Sequence, residues 1–148
     1  MIRSCGIPVL LMLMMSAFTP TDIYAADMTG ALRIEVTGLK SSKGAVAFAL
    51  YDSASRYKKH TDPLRSASRP INNRSCVWQT GELPYGEYAV MLYHDENGNG
   101  RLDSGLFHIP VEPYGLSNNA RSSFGPASYE DTKFVLKAPL KMLVIKVK

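Results

Sequence analysis

The chain has 148 residues, a formal net charge of +4, 45% hydrophobic residues and two cysteines. That length suits one domain rather than two. Two cysteines exclude a disulfide-stapled scaffold, and the modest basicity comes with no nucleic-acid-binding motif and little aromatic interleaving, which excludes a nucleic-acid partner.

The N-terminus opens with the basic start Met1-Ile2-Arg3 and runs into an uncharged apolar stretch over residues 7–18, followed by small residues at Ala25-Ala26. This order is that of a secretory signal. The apolar run is about a dozen residues, short of the roughly 20 that a spanning helix needs. A retained N-terminal anchor is the competing reading. The expectation is a signal peptide over residues 1–25 and a single domain over 26–148. That domain would be periplasmic or secreted, with no transmembrane segment after cleavage. Cys5 leaves with the signal, so Cys76 has no intrachain partner and reads as a buried apolar filler beside Val77 and Trp78.

Beyond the signal, period-two alternation recurs and helical periodicity is nearly absent. Leu32, Ile34 and Val36 alternate with Arg33, Glu35 and Thr37, and Val46, Phe48 and Leu50 alternate with Ala45, Ala47 and Ala49. With the turn Lys40-Ser41-Ser42-Lys43-Gly44 between them, these two strands predict a hairpin. Residues 52–74 are polar and basic (Arg56, Lys58, Lys59, Arg65, Arg69 and Arg74 against Asp52 and Asp62). They read as a solvated loop with one short helical turn near 53–59. A stripe that meets an anionic surface is the alternative, and it would lose binding as salt rises.

Residues 77–80 form a short strand, and the Leu83-Pro84-Tyr85-Gly86 turn feeds a strand over 88–93 that is apolar on both faces. Such a strand is covered on both sides and central. Two last strands are expected at 132–137 and 141–147, broken at Ala138-Pro139. Phe134, Leu136, Leu143, Ile145 and Val147 point inward, and lysines blunt the final edge. The whole reads as all-β, an antiparallel β-sandwich of about seven strands. Residues 95–128 add one long loop. Leu106, Phe107, Ile109, Val111, Tyr114, Leu116 and Phe124 argue that it is ordered and packed.

The decapeptide His94-Asp95-Glu96-Asn97-Gly98-Asn99-Gly100-Arg101-Leu102-Asp103 carries the densest chemistry. Oxygen-bearing side chains at Asp95, Asn97, Asn99 and Asp103, a carbonyl at Arg101 and a turn glycine at Gly100 follow most of a calcium-binding loop, with Leu102 tucked into the core behind it. The twelfth position is Leu106 rather than a bidentate Glu, and Glu112 is the residue that would swing in. The alternative is a metal-free turn in which Asp and Asn side chains bond their own backbone. His94, His108, Glu112 and Tyr114 cluster in sequence around the loop as candidate ligand-binding residues. Two His and a carboxylate suit a transition metal, yet no tight ligand spacing, nucleophile elbow or phosphate loop occurs.

The same decapeptide, with Ile109-Pro110-Val111-Glu112-Pro113-Tyr114-Gly115-Leu116-Ser117-Asn118 after it and Leu83-Pro84-Tyr85-Gly86-Glu87-Tyr88-Ala89-Val90 before it, resembles the signature of an uncharacterised family of exported bacterial proteins, a domain of unknown function (family 2141). The resemblance spans nearly all of residues 26–148 and implies export and a single sandwich, without an activity. His108 stands where that family commonly has glycine. A weaker similarity, through Leu83-Pro84-Tyr85-Gly86-Glu87-Tyr88, is to transthyretin-like and carboxypeptidase-regulatory-like sandwiches, so the fold expected is Ig-like or transthyretin-like. Fold alone carries no function.

The expected function is a non-enzymatic binding or accessory module for an envelope or extracellular ligand, stabilised by structural calcium at Asp95, Asn97, Asn99, Arg101 and Asp103. Tyr85, Tyr114 and Phe124 would offer aromatic contacts on the loop surface. The alternative is a metal-dependent enzyme built on His94, His108 and Glu112.

Overall fold

The alternation at the start of the domain becomes β1 (Thr29–Thr37), in which Leu32, Ile34 and Val36 are fully buried while the residues between them are half-exposed. The computed structural model describes residues 28–123 and 125–148, with His108 placed through its backbone alone. The expected signal at 1–25 and the aromatic Phe124 lie outside the described residues. No helix among the described residues is long and apolar enough to cross a membrane.

Nine strands among the described residues form two sheets facing one another as an all-β sandwich. In the first, β1 pairs antiparallel with β4 (Cys76–Gln79) and the two-residue β5 (Leu83–Pro84), and in parallel with β9 (Leu140–Lys146). In the second, the order runs β3 (Arg65–Pro70), β2 (Ala45–Tyr51), β6 (Gly86–Asp95), β7 (Tyr114–Leu116), with β8 (Phe134–Leu136) also on β6. The facing stripes are Leu32, Ile34, Val36 and Trp78 from the first sheet against Val46, Phe48, Leu50, Val90 and Leu92 from the second. Phe48 and Trp78 meet at 5.2 Å between ring centroids. Each such side chain contributes about 1.5–3 kcal/mol by leaving water.

The expected hairpin of β1 and β2 does not form. The two strands belong to different sheets, so residues 38–44 cross the core instead of turning back beside it. Burying both apolar stripes against each other requires this, because adjacent strands would leave both facing one side with nothing opposite. The strand pairs of the sandwich are antiparallel with one exception among the described residues: β9 lies parallel to β1, from Ala31 opposite Leu140 to Thr37 opposite Lys146. Cys76 is buried, and burial pushes its thiol pKa up.

Residues 52–74 are not simply a loop. The short helix appears as α1 (Ala54–Lys59), capped by Ser53, whose side chain accepts the Arg56 N–H. Beyond it, β3 pairs with six residues of β2 as an edge strand. The expected strand at 132–137 splits. Its start is the one-turn helix α2 (Tyr129–Thr132), capped by Ser128 with Asp131 reaching back, and only Phe134–Leu136 is strand.

The strand apolar on both faces is central, as its composition requires: β6 pairs with β2, β7 and β8. Its outer face is covered at one end by Tyr57 of α1 and Tyr129 of α2. Tyr57 packs edge-on to Tyr51 and Tyr129, each at 5.7 Å, and its hydroxyl donates to the Ala127 carbonyl at 3.1 Å. Towards Asp95 the same face is left open.

Candidate functional site

At the end of β6 the chain leaves the sheet through Asp95, and three backbone N–H groups turn back onto its carboxylate. Gly98 and Asn99 donate to Oδ1 at 2.8 and 3.1 Å, and Gly100 donates to Oδ2 at 2.9 Å. The side-chain oxygen of Asn97 accepts the Asn99 N–H at 3.0 Å, and that of Asn99 accepts the Arg101 N–H at 2.8 Å. These are successive Asx turns. The side-chain amides of Asn97 and Asn99 converge on Asp103 at 2.6 and 2.9 Å. Glu112 closes the ring, accepting the N–H of Glu96 on one oxygen and of Asp103 on the other, both at 3.0 Å.

The fold thus brings Asp95, Asn97, Asn99 and Asp103 together around one turn, with the Arg101 backbone within it and Glu112 swung in from the following segment. Asp95 and Glu112 are both buried, and donors to their oxygens replace lost hydration. No three His, Cys, Asp or Glu side chains among the described residues are grouped to hold a metal. Burial, then the carboxylates of Asp95, Glu112 and Asp103, raise the Tyr93 phenol pKa and keep it protonated.

Among the described side chains of the ligand-binding set, His94, Glu112 and Tyr114 make separate contacts. The pleat turns His94 inward and Tyr93 and Asp95 outward. His94 is fully buried, its Nε2–H donating to the Lys43 carbonyl at 2.7 Å. Its Nδ1 has no hydrogen-bond partner and lies 3.6 Å from the Glu96 carboxylate. Glu112 is taken up inside the loop. Tyr114 sits opposite Tyr93 on β7, with the Arg121 guanidinium 5.2 Å above its ring. The His108 side chain and Phe124 lie outside the described residues. Tyr85 is partly buried against the core, next to the start of β6 and so at the far end from the loop.

What sequence periodicity missed is the open outer face of the second sheet. Cross-strand register lays two rows over four strands: Ser68, Ala47, Tyr93, Tyr114, and Ser66, Ala49, Met91, Leu116. The small side chains on β3 and β2 leave a groove of about 700 Å³, with His60 and Leu102 at its rim. It runs on past Met91 and Leu102 into a second hollow of about 610 Å³ beside Tyr114, Leu116 and Pro126. Leu102 therefore lies half-buried in this groove rather than in the core. The one signal for it was an all-alanine second face on β2, next to a strand apolar on both faces. Of the long loop's described apolar residues Leu116 is buried, but Leu106, Phe107, Ile109 and Val111 are exposed rather than packed.

With this geometry described, comparison with known proteins adds one match. Residues 34–142 match the sequence model of a family described as an uncharacterized protein conserved in bacteria (DUF2141). No curated protein and no solved structure matches the chain.

Proposed function

The chain belongs to the DUF2141 family of uncharacterized bacterial proteins, and from that premise we propose that it is an exported, non-enzymatic binding module whose ligand lies in the groove on the second sheet. The observation that carries this reading is the groove floor. Ala47 and Ala49 with Ser66 and Ser68 make a shallow trough on a rigid sheet, walled by Met91, Tyr93 and Leu102. Concave, mostly apolar surfaces with a few polar groups are how small ligands are held. The fitting ligand is a small amphipathic molecule, its apolar body on Met91 and Leu102 and its polar end at Ser66, Ser68 and His60.

The test is titration with the fluorescent apolar probe N-phenyl-1-naphthylamine. Saturable binding that Ala49→Phe removes without lowering Tm supports the groove, whereas binding unchanged by that substitution refutes it. Export is tested on cells producing the full chain. A mature protein in the periplasm or medium that begins at Ala26 or Asp27 supports the signal at 1–25, and an uncleaved cytoplasmic protein counts against it.

The second element of the reading is a structural calcium ion in the 95–103 loop. Its support is the spacing of Asp95, Asn97, Asn99 and Asp103 and their convergence around one turn. Affinity would be that of an extracellular module, a Kd of roughly 10⁻⁴–10⁻³ M. At ~1 mM calcium and a Kd of ~0.1 mM, binding stabilises the fold by about 1.4 kcal/mol. A Tm indifferent to calcium and chelator would leave the loop as a hydrogen-bonded turn. Elemental analysis separates the enzyme alternative, since a stoichiometric transition metal lost on His94→Ala or His108→Ala would bring those residues and Glu112 into play.

A further inference from the structure

Between Asp103 and Glu112 the chain turns four large apolar side chains into water. Leu106 is 83% exposed, Phe107 91%, Ile109 62% and Val111 67%. The segment that carries them is held by its own backbone. Gly105 N–H donates to the Ile109 carbonyl at 2.8 Å and Val111 N–H to that of Asp103 at 2.9 Å, while Ser104 and Pro110 form a β-bridge. Phe107 adopts φ 60° and ψ 26°, a left-handed conformation that bulky side chains avoid. Below it, Glu112 ties both ends of the preceding turn. The fold therefore fixes a tight hook and presents its apolar side chains at the tip.

An exposed apolar cluster of this size marks a contact surface. The four side chains expose on the order of 500 Å², short of the roughly 800 Å² per partner of a stable protein interface. They also project from one turn instead of lying on a flat face. Insertion into a bilayer interface needs no complementary surface and scales with apolar area and with attraction to anionic lipid. At the base of the hook the charges are mixed: Asp95, Asp103 and Glu112 accept N–H donors, and Glu96, Arg101 and Arg121 are exposed. The chain as a whole carries +4.

We propose that residues 104–111 form a membrane hook, which inserts Leu106, Phe107 and Ile109 into the interfacial layer of an anionic bilayer. Phe107 and Ile109 also border the groove beside Tyr114 and Leu116, so docking by the hook sets the groove mouth at the lipid surface. The hook does not depend on the groove being a ligand site.

The experiment uses the exported protein and vesicles of phosphatidylglycerol mixed with phosphatidylethanolamine. The expected result is co-sedimentation that weakens as salt rises, with a blue shift in the added emission of a Phe107→Trp variant. Phe107→Ser combined with Ile109→Ser lowers partitioning roughly tenfold or more and leaves Tm unchanged, because neither residue is packed. No co-sedimentation, or equal co-sedimentation of the double variant, overturns the hook. So does a blue shift that grows with protein concentration in the absence of vesicles, which would assign the patch to a second copy of the chain. Naphthylamine binding, and its loss in Ala49→Phe, which leaves the hook untouched, report on the groove separately.

Discussion

The Asp103 backbone N–H donates to Oε2 of Glu112 at 3.0 Å and so closes a span of nine residues that contains the entire apolar hook. The other oxygen of Glu112 takes the Glu96 N–H, so one buried carboxylate ties together the entry and exit of the turn. Glu112→Gln keeps one acceptor and sets an amide against the other donor. It should destabilise by about 1–3 kcal/mol in urea unfolding, and Glu112→Ala by at least as much. Unchanged urea midpoints would mean that the loop holds itself without Glu112.

Gly44 and the loop glycines should respond very differently to alanine. At Gly44, φ is +67° and an added Cβ would overlap the Asp95 carbonyl oxygen, a backbone atom that cannot move aside. Gly98 and Gly100 have φ +74° with open space around them. Gly98→Ala and Gly100→Ala should each cost only the conformational penalty, about 1–2 kcal/mol. Gly44→Ala should cost more than either, or fail to give folded protein. Ranking the three by thermal unfolding checks this.

Asn119 is expected to guard a sheet edge. Its side chain donates to the Val144 carbonyl at 3.2 Å and accepts the Lys146 N–H at 2.8 Å, covering part of the outer edge of β9 as another strand would. Leu140, Met142 and Val144 are exposed alongside. Asn119→Ala uncovers a free edge flanked by apolar residues, an invitation to intermolecular pairing. Sedimentation should show concentration-dependent association in this variant and less in the wild type.

Alkaline pH should weaken the fold. Burial raises the phenol pKa values of Tyr51, Tyr57, Tyr88, Tyr93 and Tyr129 above the ordinary value of 10. The folded chain then holds protons that the unfolded chain releases above pH 10. Their contribution to stability is fully present below that pH and falls as pH climbs through the folded values. Tm should begin to fall slightly as pH passes the ordinary thiol value of about 8.5, because buried Cys76 keeps its proton, and then decline further in step with the phenolate absorbance near 295 nm. A Tm unchanged as the phenolate band appears would contradict it.

Strands with one buried stripe were legible residue by residue, as at Leu32-Ile34-Val36 and Val46-Phe48-Leu50. Whether two such strands lie side by side or face one another was not, because alternation is the same in both cases. Their placement depends on contacts such as Gly44 against Asp95, about fifty residues apart. β3 left no trace, since Arg65-Ser66-Ala67-Ser68-Arg69-Pro70 is an edge strand held by backbone pairing with almost nothing buried. The Asp95-to-Asp103 turn was readable because its bonds are local, and Glu112 was visible only as a carboxylate within reach. The groove lay hidden in alanines, which periodicity scores as unremarkable. The hook's apolar residues were noted, but sequence alone counts them as core.

The parallel pairing of β1 with β9 has a bearing on when the fold can form. The first strand of the domain leaves the ribosome more than a hundred residues before the partner that completes its sheet, and Ile145 and Val147 bring part of the core with them. Contacts of such long sequence separation slow folding. The sheet built on β1 therefore stays incomplete until Leu140–Lys146 has been made, so by topology its closure comes late in synthesis.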